Sequence, residues 1–154
     1  MRKMTTAAVL LVLGLAGCGQ SAVQQATVVS DGGQQAAADA AMAWFKATDR
    51  GACELESPAY KHHISDCSTL NDSTPAWGGS EERHVLRTVR WGSDAWAVVI
   101  AKGENDATPA VLGMVNENGR WVLKARGELN QIAKGSKNSE CAALSGPNAP
   151  ECAG

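Results

Sequence analysis

The chain opens with an unbroken apolar run, Ala7 to Leu15, behind the charged pair Arg2 and Lys3. From Gly19 to Gln35 neither a helical nor a strand period is present. The pattern then becomes helical: Ala38, Ala41, Met42 and Phe45 recur at i, i+3, i+4 and i+7. This predicts a long helix over Ala36 to Asp49, with Gly51 as its stop. Ala52 to Glu56 predicts a short helical turn, closed by Ser57-Pro58 because proline restricts the residue before it. Ala59 to Ile64 predicts another, and Ser65 to Ser80, rich in Asp, Ser, Thr, Asn, Pro and Gly, a loop.

The second half reads as strands. Arg83 to Trp91 and Ala95 to Lys102 flank Gly92-Ser93-Asp94, a hairpin signal. Trp96, Val98 and Ile100 make one face of the second strand large and apolar, while Ala95, Ala97, Val99 and Ala101 keep the other small and still apolar. Such a strand is covered on both sides and central in its sheet. Pro109 to Asn116 and Arg120 to Arg126 follow, joined through Asn118-Gly119, a pair suited to positive φ. Glu128 to Lys134 predicts a last helical turn. Helices followed by a four-stranded antiparallel meander indicate an α+β domain, with the helix against one face of the sheet. The expected organisation is a leader at 1–17, a flexible tether at 18–35, the domain at 36–134, and a polar tail at 135–154 whose removal should leave the fold intact.

The leader carries the first resemblance. Leu15-Ala16-Gly17-Cys18, after a positive end and a short apolar stretch, resembles the lipobox of bacterial lipoproteins. The resemblance implies diacylglyceryl transfer to the Cys18 thiol and cleavage just before it. The apolar run is too short for a spanning helix, which needs roughly 20 apolar residues, and no Ala-x-Ala site suits an ordinary secretory signal. The expected address is the extracytoplasmic side of a membrane, with membrane lipid held through acylated Cys18.

Cleavage there changes the charge and the cysteine count. Losing Arg2 and Lys3 from 14 basic residues leaves 12 against 16 acidic ones, a net charge of −4. A mildly acidic domain without a basic stripe excludes nucleic acid as the expected partner. Of the five cysteines, Cys18 is taken by lipid, and Cys53, Cys67, Cys141 and Cys152 remain, an even number for an oxidising compartment. They admit three pairings. Cys53 with Cys67 is the expected bridge across the short helices, with Cα atoms about 4.4–6.8 Å apart, which leaves Cys141 with Cys152.

Residues 36–127 resemble the NTF2-like superfamily, whose helices pack on a curved sheet to form a cone. The resemblance lies in Trp44-Phe45-Lys46 with Ala52-Cys53-Glu54-Leu55 and Ser57-Pro58, in Ser93 to Val99, and in Asn118-Gly119-Arg120-Trp121-Val122-Leu123. It implies an interior where acidic, histidine or tyrosine groups sit. Tyr60, His63, Asp66 and His84 are the candidate pocket residues, with Trp77 either capping the cone mouth or exposed. Arg87, Lys102 and Lys124 lie on strands whose facing the sequence leaves open.

His62 and His63 have Glu56, Tyr60, Asp66 and His84 as companions, but adjacent side chains diverge and cannot face one ion together, so no metal is expected. No Gly-x-Gly-x-x-Gly, Gly-Lys-Ser/Thr or Gly-x-Ser-x-Gly motif occurs, and no cofactor or catalytic residue is assigned. The expected activity is non-catalytic binding of an envelope protein or small ligand. A cone-pocket isomerase, dehydratase or hydrolase, or a structural or exclusion-type surface protein, are the alternatives.

Overall fold

A computed structural model describes residues 32–61, 66–76 and 82–152. The leader at 1–17, Cys18 and the tether up to residue 31 lie outside the described residues, as do His62, His63 and Trp77. Helices α1 (Gly32–Lys46) and α2 (Asp49–Glu54) precede strands β1 (His84–Gly92), β2 (Ala95–Ala101), β3 (Ala110–Glu117) and β4 (Arg120–Glu128). Helices α3 (Gln131–Lys134) and α4 (Ser139–Ser145) follow. The strands form one open antiparallel sheet in the order β1-β2-β3-β4, so the chain is α+β. Both residues of the Asn118-Gly119 turn have positive φ, 56° and 82°, which matches the twist of the strands they join.

The sheet is covered on both faces. Trp96, Val98 and Ile100 of β2 meet Leu112, Met114 and Leu123 and, from α1, Ala37, Ala41, Trp44 and Phe45. On the opposite face Ala97, Val99 and Val111 pack with Leu129, Ala133 and Ala142. Every residue of β2 from Trp96 onward is buried, as its two apolar faces require. Trp91 lies over Gly113, where a Cβ would come within 2.6 Å of its ring.

Two expectations are corrected. The residues read as a polar tail, 135–154, include α4, which covers the second face of the sheet. Asn138 caps α4 by accepting from the Cys141 amide, and Glu140, Cys141 and Ala142 are buried. The packed unit therefore runs past Lys134 to Cys152, which is bonded to Cys141. The reason is size: α4 buries small residues, which leave little hydrophobic pattern in sequence, yet permit a close approach to β4.

The second correction concerns the first helix. It begins at Gly32, inside the expected tether, and ends at Lys46 rather than Asp49. Thr48 breaks the run, because its hydroxyl accepts from the Gly51 amide and caps α2. Gly51 is thus inside α2 and stops nothing. Further on, Pro58–Lys61 form a turn in which the Tyr60 and Lys61 amides donate to the Ser57 carbonyl, and the rest of the helix expected over 59–64 lies outside the described residues.

Candidate functional site

Glu56 occupies a junction between the helical layer and the sheet edge. The segment that leaves α2 pairs in parallel with β4: the Leu123 amide donates to the Leu55 carbonyl at 2.9 Å, and the Ser57 amide donates to the Leu123 carbonyl at 2.8 Å. These two bonds bracket Glu56 and fix its backbone. Ser57 is fully buried, and its hydroxyl and carbonyl both accept from the Tyr60 amide. The indole of Trp44, 2 % exposed, donates from Nε1 to Glu56 Oε1 at 3.2 Å.

Beside Glu56 opens a cleft of about 200 Å³, lined by Trp44, Asp49 and Glu56 from the helical side and by Arg126 from β4. Leu70 and Ala76 form its outer rim. The rim belongs to the loop at 66–76, which is strapped to α2 by several bonds. The Asp49 amide donates to the Thr74 carbonyl at 3.0 Å, and Arg50 Nη2 reaches the carbonyls of Ser68 and Leu70, each at 3.2 Å. Thr48 Oγ1 donates to Asp72 at 2.8 Å. The Cys53–Cys67 disulfide, with Cα atoms 5.7 Å apart, locks the same loop to α2 and falls within the expected range.

Arg126 reaches the cleft through an irregularity in β4. Leu123 pairs with Met114, and Ala125 with Gly113, so Lys124 is an extra residue between them. Regular alternation would place Leu123 and Arg126 on opposite faces. The bulge shifts the count by one, and Arg126, opposite Leu112, joins Leu123 on the α1 face.

The electrostatics follow from partial burial. Desolvation pushes the Glu56 carboxyl above the ordinary carboxylate value, against the Trp44 hydrogen bond and the charges of Arg126 and Lys61, which pull it down. Burial likewise raises the Tyr60 phenol; Arg126 opposes the rise and Glu56 adds to it. Glu56, Tyr60 and Arg126 thus sense one another across the junction.

No protein-family model, curated protein or solved structure matches the chain. The cleft must be read from its own chemistry.

The sequence-predicted pocket is only partly assembled. Tyr60 is half-buried against the α1-face core beside the Glu56 junction. Asp66 is exposed and caps the 3-10 turn Cys67–Thr69; the Ser68 hydroxyl and amide hold its carboxyl below the usual value. His84 is exposed at the start of β1, opposite Ala101. Neither lines the cleft beside Glu56. His63 and Trp77 lie outside the described residues. Among the described residues no cluster of three His, Cys, Asp or Glu side chains is placed to hold a metal. Glu56 was visible in sequence only as a companion of the histidines, and Arg126 and Asp49 were not visible at all, because a bulge and a helix break bring them together.

Proposed function

We propose that this protein is an exported lipoprotein, anchored on the extracytoplasmic side of a membrane by acylated Cys18, whose domain binds a ligand in the Glu56 cleft. The observation that carries the reading is the use of cysteine. Cys53 pairs with Cys67 and Cys141 with Cys152, so Cys18 is the one cysteine of the five left over, and it stands at the lipobox. Two disulfides fit an oxidising compartment. Stable anchoring by two or more acyl chains needs no basic patch, which suits a mature charge of −4.

An NTF2-like fold is the finer architectural reading. It is supported by a helix ahead of an antiparallel meander and by a cleft between that helix and the sheet. Binding suits the cleft better than catalysis: Glu56 has a donor in Trp44 and charged neighbours, an arrangement that holds a ligand in place. Replacing Cys18 with alanine tests the anchor. The variant should appear unprocessed or leave the membrane fraction; a processed variant still in the membrane contradicts it.

A further inference from the structure

We infer that Cys53–Cys67 is an exchangeable bridge, opened in the folded protein by an external dithiol that attacks at Cys67, whereas Cys141–Cys152 is a permanent one. The inference goes beyond the ligand cleft and the lipid anchor and depends on neither. It starts from a difference between the two disulfides of one chain. Cys141 and Cys152 are 3 % and 7 % exposed, so both halves of their bridge are withdrawn from solvent. Cys53 is 2 % exposed, but Cys67 is only half-buried and opens the 3-10 turn Cys67–Thr69, in which no residue is buried. A thiolate must reach the sulfur it attacks, so access separates labile disulfides from structural ones.

Lys61 supplies a second, independent observation. Its Nζ donates to the Cys53 carbonyl at 3.1 Å and to Cys67 Sγ at 3.7 Å. An ammonium beside a sulfur stabilises the thiolate of that sulfur. The exchange then runs in two steps. A thiolate of the dithiol attacks Cys67 Sγ, the bond to Cys53 breaks, and the Cys53 sulfur leaves with the electron pair and takes up a proton. The dithiol's second thiolate attacks its own first sulfur and expels Cys67 as a thiolate facing Lys61. Once Cys67 is protonated, the protein has gained two electrons and two protons, which the dithiol, now a disulfide, has given up. Reversal needs the sulfurs to stay close. Arg50 holds the Ser68 and Leu70 carbonyls, and the Asp49 amide holds that of Thr74, so the loop stays on α2 after Cys67 is released. The bridge re-forms when an oxidant returns.

Timed exposure of the full chain, in detergent at neutral pH, to the dithiol dithiothreitol tests this. Thiols are trapped with N-ethylmaleimide and located by peptide mass analysis. Cys53 and Cys67 should be labelled about tenfold or more faster than Cys141 and Cys152. In guanidinium chloride, where the fold no longer shields either bridge, that difference should vanish. With glutathione, a monothiol, the trapped adduct should sit on Cys67 and the maleimide on Cys53. Lys61→Met should slow opening about threefold or more in the folded protein and leave the denatured rate unchanged, while Lys61→Arg keeps most of the parent rate. Equal rates for the two bridges in the folded chain overturn the exchange site, as does an adduct on Cys53. A Lys61→Met rate equal to or above the parent's overturns the part given to Lys61.

Discussion

Gly127 of β4 and Ala143 of α4 touch backbone to backbone: a Cβ at residue 127 would overlap the Ala143 carbonyl oxygen. Only glycine permits this approach, and it seats α4 on Val99 and Val111. Gly127→Ala should therefore destabilise by about 1–3 kcal/mol, the usual cost of overpacking. Gly103→Ala, where a Cβ meets nothing within 4 Å, should change little. Equal urea midpoints for the two variants would show that α4 is not seated as described.

Removing residues 135–154 takes away α4 altogether. Ala97, Val99 and Val111 would lose the cover of α4, keeping only that of Leu129, Ala133 and their neighbours, and part of a face built to be buried would be exposed. The truncated chain should lose cooperative thermal unfolding or melt many degrees lower. A melting temperature near that of the intact chain would restore the tail to an appendage.

Two carboxyls should give stability opposite pH dependences. Glu140 is buried, a circumstance that by itself raises its pKa, but Arg87 Nε at 2.8 Å and Ser139 Oγ at 2.8 Å outweigh burial and hold it below the ordinary carboxylate value. Its contribution is fully present above about pH 4.5 and fades as pH falls through the lower folded value. Arg87 is about half-exposed (48 %), so solvent screens the pair, and Arg87→Gln should cost only about 1–2 kcal/mol at neutral pH. That cost should shrink in acid.

Glu56 works the other way. Burial raises its folded pKa above 4.5, so the protonated carboxyl stabilises the fold below that value, and this contribution is lost as pH rises through the folded pKa. Glu56→Gln should consequently be as stable as the parent or more so at neutral pH, and lose that margin near pH 4. Denaturant melts at the two pH values check it; a variant less stable only at neutral pH contradicts the sign.

Much of the sheet was legible in the chain. Asn118-Gly119 marked the β3–β4 turn, and two apolar faces on one strand marked β2 as central. What escaped were features carried by small or polar residues. Thr48 ended a helical run by capping from its side chain, and α4 packed through Ala and Cys with no bulky stripe to announce it. The site escaped for a sharper reason: strand alternation directs Arg126 away from Leu123, and the extra residue Lys124 reverses that.

The loop at 66–76 owes its position to Cys67. With 14 residues of sequence separation, the Cys53–Cys67 bridge contributes about 3 kcal/mol in the chain-entropy treatment. Cys53→Ser should speed amide exchange first in α2 and this loop, while β2 and β3 stay protected. Uniform acceleration across the chain would mean that the loop does not open separately.

Intact-mass and peptide analysis of the protein taken from its native membrane tests Cys18 most directly. The predicted result is a chain beginning at Cys18, its thiol carrying diacylglycerol, with Cys53 bonded to Cys67 and Cys141 to Cys152. A membrane-derived chain that still begins at Met1, or one whose Cys18 lies in a disulfide, would contradict it.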